Sequence, residues 1–382
     1  MRILQYLSRF RSRDGGVPRA VVDLVALLAA RGHEVRLLTG GDDMLPAAWR
    51  TGDTEGIRIV DLSPWGRLGR TTASDRRQIE DAVRWSDCVH LHVPWDRRHR
   101  RFLAASGAAL RPVILTAHGM LDARTIAHRA LRKRCFLALG GRAALESATF
   151  VHCNSPREIE LSRASAPRAR FRATPLATEL APILALSPKA APSVPPRLLA
   201  LGRLDPIKGL EQLLGAVALL KSRGRSARLE IAGSGPEAYA AALRARSAAL
   251  GLEEIVTFHG QVDGAGKLAL LAQADCLVHA SVHENFGVAI IEAMAAGLPV
   301  VMTTGVNLAE TLVESGGAIA VPPGDLRSLA EGIEASIADP ATLRRRGDAA
   351  RAWVRRALDP AVIAREYEAM YAAAIEARGR RE

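Results

Sequence analysis

Two segments carry the residue types and spacings most suited to chemistry. One runs His283-Glu284-Asn285-Phe286-Gly287-Val288 and continues through Ile290-Ile291-Glu292-Ala293-Met294 to Gly297. It follows a strand-like run and enters an apolar helix that starts near Gly287, which puts Glu284 in the loop and Glu292 in the helix's second turn. A helix N-terminus offers unpaired N–H groups and positive potential, so the stretch suits an anionic or hydroxyl-rich ligand above residues 286–288. Taken singly, either glutamate reads first as an ordinary capping acid or a solvated helix residue. The other segment, Gly202-Arg203-Leu204-Asp205-Pro206-Ile207-Lys208-Gly209, also leaves a strand-like run. An Arg and a Lys five residues apart at one strand end can meet a diphosphate, as a bound group or a leaving group. By itself this stretch reads first as a surface turn with two solvated bases. A third candidate is His118, in Thr116-Ala117-His118-Gly119-Met120-Leu121, with His92 on the preceding strand as a subordinate one.

Positioning these groups requires a particular kind of scaffold. Short apolar runs rich in β-branched residues alternate with amphipathic stretches of 10–15 residues throughout the chain, the pattern of βαβ units and parallel sheets. The runs predict strands at Arg2–Leu7, Glu34–Thr39, Ile57–Leu62, Cys88–Val93, Val113–Ala117 and Thr149–Cys153. A second series is predicted at Arg197–Leu201, Arg228–Ala232, Ile255–Phe258, Cys276–His279, Val300–Thr303 and Ala318–Val321. The first predicted helix, Pro18–Ala30, has proline in its opening turn, apolar residues at 3–4 spacing and Gly32 beyond its end. The closing helices are predicted at Leu326–Ile337, Ala341–Ala357 and Pro360–Ala377. Between Pro175 and Pro196 the composition turns to Pro, Ala and Ser. The expected organisation is therefore an N-terminal domain over 1–178, a linker over 179–196, a C-terminal domain over 197–357 and a last helix over 358–382 that could pack back on the N-terminal domain. Open parallel sheets bind ligands at the carboxyl ends of their strands, so the turns after strands, and the cleft between two such domains, are the expected sites.

Composition narrows the function classes. The chain has 382 residues, 48% apolar and 24% charged, enough for two cored domains and without the bias of a disordered chain. No run reaches the roughly 18 uninterrupted apolar residues of a spanning helix, since Asp23 and Glu292 interrupt the best ones. The N-terminus lacks the pattern of a signal peptide. The four cysteines form no C-x-x-C pair and are read as reduced thiols of a cytoplasmic protein. No His/Cys set has zinc spacing and no Asp-x-Asp occurs, so no metal site is expected. The net charge of +12 is unevenly placed: residues 1–190 hold 31 Lys+Arg against 18 Asp+Glu, and residues 191–382 hold 21 against 22. Two N-terminal clusters stand out, Arg97–Arg101 and the basic amphipathic stretch Arg124–Leu139 around Arg132, Lys133 and Arg134. Both are read either as solvated surface or as attraction to anionic lipid or a lipid diphosphate. Aromatic residues are only 4% and do not interleave with the basic runs, which disfavours nucleic acid.

Together, Gly-Arg-Leu-x-x-x-Lys-Gly at 202–209 and the Glu-x7-Glu of Glu284 and Glu292 within His-Glu-Asn-Phe-Gly…Glu-Ala-Met-Ala resemble the retaining glycosyltransferases of family 4, which have the GT-B fold. The likeness extends to Gly233-Ser-Gly-Pro236, Phe258-His-Gly260, Asp-Gly-Gly at 14–16 and Arg-Gly-His-Glu-Val at 31–35, and so covers nearly the whole chain. The resemblance implies two doubly wound Rossmann-like α/β domains facing across a cleft, the acceptor side N-terminal and the donor side C-terminal. It implies that Arg203 and Lys208 hold the donor diphosphate, that Glu292 bonds the nucleotide ribose, and that Glu284 with the backbone of Asn285, Phe286, Gly287 and Val288 contacts the transferred sugar. Residues near Gly233 and Gly260 would line the base, and Gly15 and Gly16 would form the N-terminal glycine loop near the phosphates. His118 resembles the family's cleft histidine, and His-Gly-Met-Leu is typical of a bacterial branch that builds surface polysaccharides. The implied reaction moves a sugar from a UDP- or GDP-sugar, with no cofactor and no metal, to a glycan or lipid-linked acceptor; the expected location is the cytoplasm, where the basic N-terminal domain could meet the inner face of the membrane. The alternatives are a sugar-nucleotide epimerase or hydrolase on the same frame, or a non-catalytic sugar-nucleotide-binding protein.

Two rival motifs are weaker. Gly233-Ser-Gly235-Pro-Glu-Ala238, with Glu253 and Glu254 some 20 residues on, matches a dinucleotide fingerprint, but that reading leaves Arg203, Lys208, Glu284 and Glu292 unused. Gly260…Gly266-Lys267-Leu268 misses a P-loop by spacing and by lacking Ser or Thr after Lys267.

Overall fold

Every paired strand runs parallel to its neighbours, and the central ones are buried on both faces, as continuous apolar runs require. The computed structural model describes residues 1–10, 16–41, 44–52, 54–63, 71–187, 189, 191–262 and 264–379. They form two compact units, Met1–Thr178 with Pro360–Glu382, and Glu179–Asp359.

The first unit holds β1 (Arg2–Tyr6), β2 (Glu34–Thr39), β3 (Ile57–Asp61), β4 (Cys88–His92), β5 (Val113–Thr116), β6 (Phe150–Cys153) and β7 (Phe171–Ala173) in the order β3-β2-β1-β4-β5-β6-β7. Its core gathers Leu4, Leu38, Val89, Leu91, Leu115 and Val151 with Phe102 and Leu145 from the covering helices. The helix Pro360–Gly379 belongs to this unit: Tyr367, Met370, Tyr371 and Ala374 are buried in it, and Glu368 pairs with Arg31. The second unit holds β8 (Arg197–Leu201), β9 (Arg228–Ala232), β10 (Val256–Gly260), β11 (Cys276–His279), β12 (Val300–Thr303) and β13 (Ala318–Val321) in the order β10-β9-β8-β11-β12-β13. Its core is built from Leu198, Leu213, Leu214, Val217, Leu229, Val278, Val301 and Ile333.

Both sheets are thus doubly wound α/β layers, as the alternation of apolar runs implies. In each, the order reverses beside the first strand, which opens a crevice between β1 and β4 and another between β8 and β11. The edge strand Phe171–Ala173 escapes sequence reading because it is three residues long and its Arg172 is exposed. The Pro-rich stretch after Thr178 is more than a tether. Its Leu180 and Ile183 are buried, the helix Ala181–Leu184 packs on the helix Val288–Ala295, and Arg351 donates to the carbonyls of Leu184 and Leu186. Cys88, Cys153 and Cys276 are buried free thiols, and Cys135 is an exposed one.

Candidate functional site

Four loops converge at the carboxyl edge of the second sheet. Glycines let them approach: a Cβ on Gly233 would lie 1.7 Å from the carbonyl of Gly202, one on Gly209 would lie 2.2 Å from that of Ala280, and one on Gly305 would lie 2.3 Å from that of Val282. Backbone bonds tie the loops. Gly202 N–H donates to Ala232, Gly233 N–H to Gly260, and Val282 N–H to Ile207. Glu284 is bridged to Val306, accepting from Asn307 N–H and donating its own N–H to Gly305.

On this frame Lys208 and Glu284, 76 residues apart, meet at 2.5 Å. The short 3-10 turn Pro206–Lys208 presents the ammonium; Asp205 caps the turn by accepting from Ile207 N–H, and Gly209 in the left-handed region starts the next helix. Glu284 also lies 3.4 Å from His279 Nε2 at the end of β11 and accepts from Asn285 N–H. Burial pushes its carboxyl up, but His279 and the Lys208 ammonium outweigh that and hold it well below the usual carboxylate range. Arg203, exposed, reaches Asp205 at 3.8 Å, and its residue shares a small pocket with Lys208, His279 and Ala280. The arrangement offers two cations and one firmly ionised carboxylate at a strand-end crevice, suited to a diphosphate beside a hydroxyl-bearing group.

The helix Val288–Ala295 starts from Gly287, which is left-handed at φ 75° and supplies no side-chain cap to the first-turn N–H groups. Asn285 accepts from Asn307 Nδ2 at 3.0 Å, and Phe286 is buried, leaving its backbone rather than its ring for a ligand. Glu292, 9% exposed, is held by Lys267 Nζ at 2.5 Å.

In the first unit His118 follows β5 in the left-handed region (φ 50°), a conformation an imidazole-bearing residue adopts only at a cost. The carboxylate of Glu158 accepts from the N–H groups of Gly119 and Asn154 and so fixes this turn. His118 Nε2 lies 3.1 Å from Nδ1 of His92. Burial, with His152 adding to it, pushes the His118 imidazole down to about 3, so the ring is neutral at ordinary pH. Gly16 opens the helix Gly16–Ala30 beyond β1, and Gly15 lies outside the described residues.

Comparison with known proteins decides the family. The profile of "Glycosyl transferases group 1" matches residues 187–353, and that of "Glycosyltransferase Family 4" matches residues 14–180. This chain belongs to the family 4 glycosyltransferases. Among relatives of the glycosyltransferase, a glycogen synthase of Mycobacterium tuberculosis is 28% identical over 96% of this chain and 93% of its own. A phosphatidyl-myo-inositol mannosyltransferase of Mycobacterium leprae is 29% identical over 94% and 92%. The fold matches sucrose-phosphate synthase from Thermosynechococcus elongatus (TM-score 0.76, 24% identity, 97% of this chain and 98% of that one). It also matches Anabaena HepE in complex with UDP (TM-score 0.76, 20% identity, 98% and 100%). These likenesses place the two sheets within the GT-B architecture.

Within the second unit of the glycosyltransferase, Lys208 and Glu284 are in contact, Arg203 shares a pocket with Lys208, and Gly233 and Gly260 lie side by side at the ends of β9 and β10. Glu292 is on the same helix as Val288 but is engaged by Lys267, a residue that sequence reading weighed only as a failed P-loop. His279 was also missed, because as the last residue of an apolar strand it carries no sign of the turn that returns Glu284 to it. His92 proves to be His118's hydrogen-bond partner.

Proposed function

We propose that the chain transfers a sugar from a nucleotide-diphosphate donor to a hydroxyl of a glycan or lipid-linked acceptor, with retention of the anomeric configuration and without a metal. The observation that carries this reading is the meeting of Lys208 and Glu284, with Arg203 beside them, at the β8/β11 crevice. Arg203 and Lys208 would bind the diphosphate and stabilise it as it departs. Glu292, oriented by Lys267, would take the ribose hydroxyls, and the backbone at 233 and 260 would flank the base. Glu284 and the 285–288 backbone would hold the sugar. In the transfer, the bond from the anomeric carbon to the diphosphate breaks as the acceptor oxygen bonds to that carbon on the same face. The acceptor's proton passes to a departing phosphate oxygen, so no side-chain base is required.

The UDP and UDP-glucose complexes of Anabaena HepE support a nucleotide-sugar donor, with UDP- or GDP-sugars the first to test. The relative named as a phosphatidyl-myo-inositol mannosyltransferase supports a lipid-linked acceptor. A role in surface polysaccharide synthesis, with the basic N-terminal face on an anionic membrane, is the corresponding cellular reading.

The test is donor turnover in EDTA. Wild type is expected to stay active, and Arg203→Ala and Lys208→Ala each to lose about 10²–10³-fold in kcat, the usual cost of one preorganised charge-stabilising group. Loss of wild-type turnover in EDTA, or near-normal rates in both variants, overturns the mechanism. Donor consumption that is indifferent to added acceptor points instead to hydrolysis or epimerisation.

A further inference from the structure

The first unit contains a buried chain of hydrogen bonds that the transfer mechanism does not use. It starts at the carbonyl of Thr174, which lies 3.0 Å from His152 Nε2. A carbonyl has no proton to give, so His152 donates from Nε2 and, when neutral, keeps only a lone pair at Nδ1. Thr116 Oγ1 stands 2.8 Å from that Nδ1 and must donate its single proton there. It can then only accept from His90 Nε2, at 2.6 Å. His90 Nδ1 is left as an acceptor for the Tyr371 hydroxyl at 2.8 Å, and Tyr371 in turn accepts from Gln5 Nε2 at 3.0 Å. Gln5 Oε1 accepts from His92 Nε2 at 2.8 Å, which leaves His92 Nδ1 to accept from His118 Nε2 at 3.1 Å. Reversing any one link would set two protons or two lone pairs against each other. Every member except His118 is buried, and burial holds all four imidazoles neutral, His152 down to about 4 and His90 and His92 well below their ordinary value.

All seven bonds therefore point one way, and the protonation pattern has one solution. We infer that this relay fixes His118 as the Nε2–H tautomer and leaves its Nδ1 lone pair as an obligate hydrogen-bond acceptor that selects a free hydroxyl on the sugar or acceptor reaching it. The exposed end of the chain supports a ligand there. His118 is only half-buried, and no described residue takes its Nδ1. Two non-glycine residues at positive φ flank the pair, His118 itself and the β-branched Val93 after His92 (φ 66°). Strain of that kind persists only where the surroundings over-determine it. A lone pair at this position accepts from an O–H group and repels the oxygens of a phosphate, sulfate or carboxylate substituent. Thr116, His152, His90, Tyr371, Gln5 and His92 are then positioning residues, acting on substrate through His118.

The inference rests on the transfer reading only for the identity of the hydroxyl, and the experiment separates the two. Side-chain 1H–15N NMR of the full chain, with no substrate, is expected to show His90, His92, His118 and His152 each protonated at Nε2 alone. Thr116→Val, close to isosteric, severs the Thr174 anchor, so His92 and His118 become tautomer mixtures. Tyr371→Phe, cutting elsewhere, has the same effect on His118, and Thr116→Ser restores the single pattern. With a UDP- or GDP-sugar donor, kcat in Thr116→Val falls in proportion to the fraction of His118 protonated at Nδ1. A mixed or Nδ1-protonated His118 in the wild type, a single tautomer in Thr116→Val, or wild-type kcat alongside a mixed His118 overturns the inference. A wild-type NMR pattern as expected but no turnover of any nucleotide sugar counts against the transfer reading and leaves the relay standing.

Discussion

Glu284 is ionised in surroundings that by burial alone would favour its neutral form, and only Lys208 and His279 reverse that preference. Its folded-state pKa is therefore below the ordinary value of 4.5. The stabilisation it brings is complete above that value and is lost as pH falls below it. Glu284→Gln removes the charge but keeps the shape, and is expected to destabilise the second unit by about 1–3 kcal/mol at pH 7, the range for breaking a charged, partly buried hydrogen bond. Urea titrations at pH 7, 4 and 3 check this: the deficit must shrink on acidification, and a constant deficit would mean the ion pair is not its source. Glycine at 233 is as constrained as the acid. With φ at 146° and the Gly202 carbonyl 1.7 Å from where a Cβ would sit, Gly233→Ala forces two loops of the site apart. It should cost about 3–5 kcal/mol, in the exceptional range for a single substitution. Gly224→Ala, at φ 72° with nothing within 4 Å, carries only the left-handed penalty of about 1–2 kcal/mol. Equal losses in the two variants by urea unfolding would refute the steric account.

At the scale of elements, most of the scaffold was legible because parallel strands buried on both faces appear as uninterrupted apolar runs, and Cys276–His279 or Val300–Thr303 could be bounded to the residue. Arg203, Lys208 and Glu284 were legible because each stands just past such a run. What was not legible depends on partners far apart in the chain. Lys267 finds Glu292 from another helix, and Gln5 finds Tyr371 across 366 positions, so no spacing or periodicity records either pair. Three histidines of the buried relay lie on β4 and β6, His90, His92 and His152, and they give the first unit a distinct acid response. Their folded-state pKa values lie below 6.5, so the unfolded chain binds protons that the folded one refuses. Stability is complete above about pH 6.5 and falls as pH drops towards 4, by up to about 1.4 kcal/mol per pH unit for each such histidine. Four of the five tryptophans lie in this unit, so tryptophan fluorescence in urea at pH 7.5, 6 and 5 reports it. A midpoint unchanged between pH 7.5 and 5 would show that these imidazoles take up protons in the folded state.

Over the whole molecule, the charge imbalance follows the structural division closely. The unit Met1–Thr178 with Pro360–Glu382 carries 34 Lys+Arg against 21 Asp+Glu, and Glu179–Asp359 carries 18 against 19. No helix among the described residues is long and apolar enough to cross a membrane, and the charge imbalance bears instead on contact with an anionic surface. The basic stretch has the side chains for that. Leu131 is 79% exposed and Leu139 is 74% exposed, and the helix Ala130–Phe136 buries none of its residues. Of the three central bases, Lys133 is turned inward, donating to the Thr125 carbonyl at 2.5 Å and lying over Trp95, while Arg132 and Arg134 are exposed. The charge available to a lipid surface is therefore that of the arginines, with the two leucines as the apolar part. Each basic residue near an anionic bilayer contributes about 1 kcal/mol, so Arg132→Ala with Arg134→Ala should weaken partition onto phosphatidylserine-containing vesicles about thirtyfold at low salt. Leu131→Ser should weaken it with little dependence on salt, because apolar insertion is not screened. Lys133→Ala should matter least of the three bases. Vesicle co-sedimentation across a salt series, with UDP-induced thermal stabilisation as the control for an intact donor unit, reads all of these. If the wild type does not bind anionic vesicles, or the double arginine variant binds as wild type does, the +13 of this unit is solvated surface and the lipid-linked acceptor loses its main physical support.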